Sequence, residues 1–589
     1  MKFPIVRAFV LCIGIILMIS LITGCTKSTD LTDTGIDGTQ ASEREKIATP
    51  EQSPADIQFG QDGEPPRNPA VNTVMSSFVT DDFLGAGTCL MCHANLFDQG
   101  GVDVSITTDW RSTMMANASR DPVWQAKVSS EIERMPNLQA VIEAKCVTCH
   151  QPMAKTQAEV VGSEVAMFGD GFNNPTHALH QAGMDGVSCA LCHQIQDESL
   201  GEAESFSGGF EIDASTNPPN RPMDGPYETP FGMPMQNHTG FMPVYGEHTN
   251  QAELCATCHT LFTPYVDAEG NILGEFPEQT PYIEWENSAF GNSATPCQSC
   301  HMPLADGGVV VSLMPGRLAP REPFFKHYFV GGNAFVLAML SDWGGDLGVG
   351  ADAIHFDATI ERVKEQIGQR SASLGVQNLA LKEGQLTAQL QILPFTGHKL
   401  PSGIPTRRAW LHVTVVDAKG NLVFESGQIN PDGSISGNAA DVDATSYEPH
   451  YDLITSADQV QIYEAIMTNS DEEVTYTLMR AATYVKDNRL LPNGADKASL
   501  PAEVAVYGAA SKDANFVGGG DLITYQIDVS GATGPFTFSA ELLYEPLSYR
   551  FIQDLFMDET AEIEQFAGYY GEMPKLPLLV AAIQPVKVK

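Results

Sequence analysis

Cys89-Leu-Met-Cys92-His93, Cys146-Val-Thr-Cys149-His150, Cys189-Ala-Leu-Cys192-His193, Cys255-Ala-Thr-Cys258-His259 and Cys297-Gln-Ser-Cys300-His301 are five copies of one pentapeptide pattern. They occupy the 213 residues from Cys89 to His301. Composition alone predicts roughly 0.006 such matches in a chain of this make-up. C-x-x-C-H is the c-type haem attachment pattern: two thiols form thioethers with the porphyrin vinyls, and the adjacent His stands over one face of the iron. Paired C-x-x-C units also build zinc sites, but each pair here carries its own His directly after the second Cys. Disulfides within the pairs would leave the five histidines without a role. The expected cofactors are five covalently bound haems c, with His93, His150, His193, His259 and His301 as proximal iron ligands.

Length is the next constraint. About 43 residues are available per motif, too few for five separate cores. The haems must share one core and replace much of its apolar side-chain volume. Packed so closely, they lie within electron-tunnelling reach of one another.

Upstream, Lys2 and Arg7 precede an apolar run from Phe9 to Ile22 and the sequence Leu21-Ile-Thr-Gly24-Cys25. This is the layout of a secretory signal and not of a spanning helix. Ile22, Thr23 and Gly24 ahead of Cys25 resemble a bacterial lipobox, so residues 1–24 are expected to be removed and Cys25 to carry lipid. An ordinary cleaved signal with a stray Cys is the alternative. Of twelve cysteines, Cys12 falls in the signal and Cys25 takes the lipid, so the remaining ten are all haem thiols. Residues 25–74, rich in Thr, Ser, Asp, Gln, Gly and Pro, read as a disordered tether with a reach of roughly 40 Å. The expected location is the periplasm or the outer-membrane surface, anchored by lipid.

Without the signal, 31 basic and 73 acidic side chains leave a net charge of −42. That argues against nucleic acid and anionic membrane surfaces as partners. It suits a basic redox protein or a membrane electron carrier, or simply colloidal solubility; it leaves the oligomeric state open.

Between the first two motifs, Trp110 to Lys127 reads as a helix, a break at Asp121-Pro122, and a second helix with Pro122 in its first turn. Met114 and Met115 are iron ligands or core filler. Five of fourteen histidines are proximal, leaving nine from which distal ligands are drawn. The candidates are His238, His248, His327 and one of His177 and His180. The last two share a helical face, in a segment whose Asn174-Pro175 looks like an N-capped helix start. His327 precedes an apolar helix through Ala334–Leu340.

The repeated motif, the Trp110–Trp124 segment, Asp185-Gly-Val-Ser-Cys189 and the stretch from His238 to His259 resemble the multihaem c-type cytochromes of the tetrahaem electron-carrier type associated with hydroxylamine oxidation in nitrifiers. The resemblance covers Thr88 to Leu340. It implies electron transfer through stacked haem pairs, in some members with one open iron. This chain departs from it by a fifth motif and a long C-terminal half.

In that half, Ile360, Val363 and Ile367 form a stripe after Asp357, a candidate N-cap, and predict a helix over roughly 357–370. Beyond it the period changes to two. Leu386, Ala388, Leu390 and Ile392 alternate with polar residues, as do Leu411, Val413 and Val415, then Ile523 to Val529 and Phe536 to Tyr544. Asp417-Ala-Lys-Gly420-Asn421 makes a turn. An immunoglobulin-like sandwich is expected. The Gly/Pro-rich segment Thr396 to Trp410 holds His398 on a loop and is similar to one that follows the haem domain in larger multihaem cytochromes. His398 is the candidate fifth distal ligand, with Arg407 and Arg408 for propionates; a satisfied loop His is the alternative. Asp441, Asp443, Glu448, His450 and Glu464 lie in a polar, irregular region read as a solvated loop or a Ca²⁺ site.

The expected class is α+β: a mainly α and irregular pentahaem cytochrome domain at 75–345, a connecting helix at 346–374, a β-sandwich at 375–548, and a C-terminal helix and tail at 549–589. The expected function is electron carriage by haem-to-haem hopping between membrane redox carriers and an external or periplasmic acceptor. The alternative is a haem enzyme with one open iron acting on a small nitrogen or sulfur species; a scaffold in a surface conduit is a third class. Cys25→Ser is expected to move the protein from the membrane to the soluble fraction on cell fractionation. Finding the unaltered protein already soluble would refute the lipobox reading.

Overall fold

The period-two segments of the C-terminal half pair into two sheets that share a core. The computed structural model describes residues 67–589; the signal, Cys25 and the tether up to residue 66 lie outside the described residues. The strands are β1 (Ala372–Lys382), β2 (Gln385–Pro394), β3 (Arg408–Val416), β4 (Leu422–Ser426), β5 (Leu453–Ile454), β6 (Ile462–Tyr463), β7 (Asp521–Asp528), β8 (Phe536–Glu545), β9 (Leu578–Ala582) and β10 (Val586–Val588). One sheet runs β1-β2-β7-β5, with β5 parallel to β7 and the other pairings antiparallel. In the other, β3 and β8 lie at the centre, β4 and β6 line the free edge of β3, and β9 and β10 that of β8.

Register puts the apolar positions opposite one another. Leu390 faces Ile523, Ala388 faces Tyr525 and Leu386 faces Ile527. In the second sheet Leu411 faces Leu542, Val413 faces Ala540 and Val415 faces Phe538. All twelve belong to one buried cluster. The fold is α+β, with a two-layer sandwich in its C-terminal half.

Several elements differ from expectation for local reasons. The long helix is Ala353–Arg370 and begins ahead of Asp357, because Asp352 is its N-cap. His355 at N3 closes the capping box, its Nδ1 accepting the Asp352 N–H at 3.2 Å. That role usually falls to Glu or Gln. Asn174 does not start a helix; its side-chain oxygen accepts from the Thr176 N–H and hydroxyl at 2.9 and 2.8 Å, an Asx turn. The helix begins instead at His180 and ends at Met184. The Asp121-Pro122 start is as expected, with Asp121 accepting from the Val123 and Trp124 N–H groups of the helix Pro122–Arg134.

The segment 549–589 is more than a helix and tail, because β9 and β10 complete the sandwich. Its helix Ala561–Glu572 packs on Pro122–Arg134 in the motif segment. Arg134 adds ion pairs to Asp554 and Asp558 at 2.8 and 2.7 Å. The end of the expected tether is also fixed: Asn68 N–H donates to Asp342 O, and Gly345 N–H to Asn68 O, both at 2.7 Å. The motif segment and the sandwich therefore fall in one compact unit. Among the described residues no helix is long and apolar enough to cross a membrane.

His412 on β3 lies between Glu425 of β4 at 3.0 Å and Glu541 of β8 at 3.3 Å. Burial pulls its pKa down, but the hydrogen bonds to Glu541 and Glu425 outweigh this and hold it above its ordinary value. A raised folded-state pKa gives stability that is complete below about 6.5, the unfolded value, and is lost as pH rises through the folded one. His412→Gln is expected to lower stability by about 1 kcal/mol at pH 6, with the deficit shrinking at pH 9. Denaturant midpoints at the two pH values check this.

Candidate functional site

A cysteine, a second cysteine three residues on and the His after it share one face of a helix. Each motif uses that spacing at a helix end. His93, His150, His259 and His301 close the helices Ala86–His93, Gln139–His150, Ala252–His259 and Gln298–His301. His193 caps Cys189–Cys192. All ten thiols and all five motif histidines line one continuous cavity of about 1100 Å³.

The thiols show which motifs are neighbours. Cys89 and Cys189, Cys149 and Cys258, and Cys255 and Cys297 approach closely enough to perturb each other's ionisation. Cys192 lies near both Cys255 and Cys258. In space the first motif thus adjoins the third, the third the fourth, and the fourth both the second and the fifth.

Four motif imidazoles are oriented by backbone. The Nδ1–H groups of His93, His150, His193 and His301 donate to the carbonyls of Val311, Ala118, Asp224 and Val330, at 2.8, 3.0, 2.6 and 2.5 Å. This leaves Nε2 as the free ligand atom, the arrangement in which a metal-binding His is held by its second partner. Trp124 stacks on His150 with ring centres 4.4 Å apart and planes 1° from parallel. Burial brings His150 and His259 down to about 4, so both rings are neutral near pH 7. Protein interiors leave few voids larger than a water molecule. A large, mainly apolar cavity edged by paired thiols and neutral imidazoles fits covalently bound haem. Lys145, Arg321 and Arg407 in its wall could meet carboxylates, while Arg370 there already pairs with Glu365 at 2.8 Å.

Of the distal candidates, His238, His327 and His398 line the cavity. His238 lies in the helix Met233–Thr239. His327 donates Nδ1–H to Phe325 O at 3.1 Å and lies near His193 and His93. His398 faces His301 with ring centres 6.1 Å apart and planes 21° from parallel. Two metal–imidazole bonds of about 2.0–2.1 Å in line place ring centres roughly 6 Å apart, so this pair is spaced to bracket one iron.

His177, His180 and His248 are not brought to the cavity wall. Nδ1 of His177 accepts the Leu179 N–H at 3.1 Å, while His180 donates to Phe172 O at 2.8 Å. His248 is buried and donates Nε2–H to Ile195 O at 2.9 Å. Met114 and Met115 both line the cavity.

The other polar residues singled out in the sequence have different duties. Arg408 is buried in ion pairs with Asp441 at 2.9 Å and Glu545 at 2.5 Å, so it serves the sandwich and not a propionate. Asp441 is thereby occupied, Asp443 caps Thr445 and Ser446, Glu448 accepts from Tyr451, and Glu464 pairs with Lys486. These carboxylates do not assemble into an oxygen cage for Ca²⁺. His450 does approach Asp513 and Asp521, at 3.1 and 3.8 Å. Its Nδ1 accepts from the Gln461 and Asn488 amides. Both amide orientations are fixed, because their oxygens accept backbone N–H groups of Tyr451 and Glu464. The proton therefore sits on Nε2, aimed at the carboxylates, and that nitrogen offers no lone pair to a metal.

No family model matches the chain, and no curated protein matches it. Among solved structures it is similar to a penta-heme cytochrome c552 from Thermochromatium tepidum, with a TM-score of 0.45 and 15% identity over 82% of this chain and 96% of that one.

His398→Ala is expected to add a high-spin ferric signal of about one haem in five to the oxidised protein. An unchanged low-spin spectrum would rule out His398 as an axial ligand.

Proposed function

We propose that this chain is an exported, lipid-anchored pentahaem c-type cytochrome that carries electrons between membrane redox carriers and an external or periplasmic acceptor. The observation that carries the reading is the convergence of ten motif thiols and five motif histidines on one cavity. Bound haem supplies a one-electron Fe(III)/Fe(II) couple. The chain's own residues do the rest. The thiols anchor each macrocycle edge, the backbone carbonyls that bond Nδ1 set the ring direction, and apolar walls keep water from the metal. The closeness of motifs one and three, three and four, four and two, and four and five supports a single connected set of sites. A carrier needs such connectivity; five independent sites do not. The acidic composition supports a basic protein as one redox partner.

The test is a pyridine haemochrome assay combined with the intact mass of the mature protein, with five covalent haems expected. Fewer than five overturns the reading. Electron paramagnetic resonance of the oxidised protein then separates carrier from catalyst. A wholly low-spin spectrum is expected, whereas a high-spin haem in the unaltered protein moves the function to an enzyme acting on a small nitrogen or sulfur species.

A further inference from the structure

Between the fourth and fifth motifs, the helix Pro281–Glu286 carries two glutamates with different fates. Glu284 is buried. Its carboxylate receives the Lys399 N–H at 3.0 Å and the Ser402 hydroxyl at 2.6 Å, both on Oε2. Arg489 Nη1 stands 3.0 Å from Oε1 as an ion pair, without hydrogen-bond alignment. Arg489 and Lys399 in turn share Asp487, through contacts of 2.9 and 2.7 Å from Arg489 and 2.7 Å from the Lys399 ammonium. Two buried cations and two buried anions thus form one neutral cluster. One anion comes from the motif segment, and the other three members come from the C-terminal half.

This cluster sits directly behind His398. Lys399 and Ser402, the two donors to Oε2, follow His398 in the same loop. On its other side, Gly397 passes so close to the motif segment that a Cβ there would lie 3.3 Å from Trp285 and from Phe290. The loop is tied once more by paired backbone bonds between Leu400 and Leu490, each 2.9 Å. His398 donates Nδ1–H to Lys399 O at 2.9 Å, so the peptide whose N–H Glu284 holds neighbours the carbonyl that orients the imidazole.

We infer that Glu284 is the positioning residue for His398: its carboxylate fixes the loop that sets the imidazole opposite His301, and its charge tunes the iron they bracket. The inference rests on the pentahaem reading and on His398 as ligand. A buried carboxylate with three partners is costly to disturb, since removing it leaves an uncompensated buried cation. Next to an iron, loss of that negative charge disfavours the ferric state, whose charge is the higher. A merely structural glutamate would move neither the potential nor the ligation of one haem in five.

The experiment uses the full, haem-loaded protein. Glu284→Gln keeps one acceptor oxygen for Lys399 and Ser402, removes the charge, and turns an amide NH2 toward Arg489. All haems are expected to stay low spin, while one midpoint potential of the five rises in a potentiometric titration. Glu284→Ala removes the acceptors too, and a high-spin ferric signal of up to one haem in five is expected, returning to low spin on adding imidazole. If Glu284→Ala does not accumulate, Ser402→Ala replaces it, with a smaller signal of the same kind. Five unchanged potentials in Glu284→Gln, or an unchanged low-spin spectrum in the variant lacking the acceptor contact, overturn the positioning role. His398→Ala separates this failure from the other. A low-spin His398→Ala means that the ligand assignment is wrong, whereas a high-spin one beside silent Glu284 variants means that only the positioning role is wrong.

Discussion

The spacing of two cysteines and a histidine on one face of a helix end is the constraint from which the rest of this structure follows. Such a face cannot be satisfied by its own short helix, so it must look into a space shared with others. Five of them within 213 residues look into the same space, and the chain between motifs is too short to wall it. The remaining wall comes from later in the chain. Asn333, Val336 and Leu337 contribute, as do Val363, Ile367 and Arg370 from the long helix, the loop from Phe395 to Arg407, and Tyr544 at the end of β8. The sandwich is therefore a wall of the cavity as well as a core of its own. That explains why the described residues form one compact unit and not two domains on a linker.

The parts of this arrangement legible in the sequence are those whose signal is periodic or chemically specific. Motif spacing marked the cavity lining, and alternation such as Leu386 to Ile392 marked strands, because a half-buried strand must repeat every second residue. Asp121-Pro122 marked a helix start for an equally local reason. Where the signal was ambiguous, tertiary context decided. Asn174-Pro175 suits an Asx turn as well as an N-cap, and His355 supplies the return bond usually made by Glu or Gln. β9 and β10 are short and follow a helix, so nothing local tied them to β8. Arg407 and Arg408 are neighbours in sequence, yet Arg407 ends the loop that lines the cavity, whereas Arg408 opens β3 and turns into the sandwich. Glu284 and Glu286 differ by nothing that can be read from Tyr282-Ile-Glu-Trp-Glu286; only the arrival of Lys399, Ser402 and Arg489 from over a hundred residues away separates them.

Those arrivals belong to a wider pattern in how this acidic chain spends its few cations. Lys127, Arg221, Lys399, Arg408, Lys486 and Arg489 are all buried and paired, to Glu131, Asp82, Asp487, Asp441, Glu464 and Glu284 respectively. A buried pair adds little net stability over apolar packing, but breaking one is expensive, so each acts as a fixed cross-link more than as a source of cohesion. One of them, Arg489–Glu284, crosses between the motif segment and the C-terminal half. Lys127 also donates to Tyr476 O, and Glu131 accepts the Leu478 N–H, each tying the motif segment to residues far along the chain.

The same economy shapes the exterior. Among the described residues the buried acidic side chains outnumber the buried lysines and arginines, fourteen to six, yet most acidic residues remain at the surface and outnumber the cations there too. Long-range attraction then selects partners by sign before any contact forms, and it weakens as salt shortens the Debye length from about 30 Å at 0.01 M to about 8 Å at 0.15 M. For the proposed carrier this division suits its task. An excess of surface negative charge would draw a basic partner close and let it leave once the electron has moved.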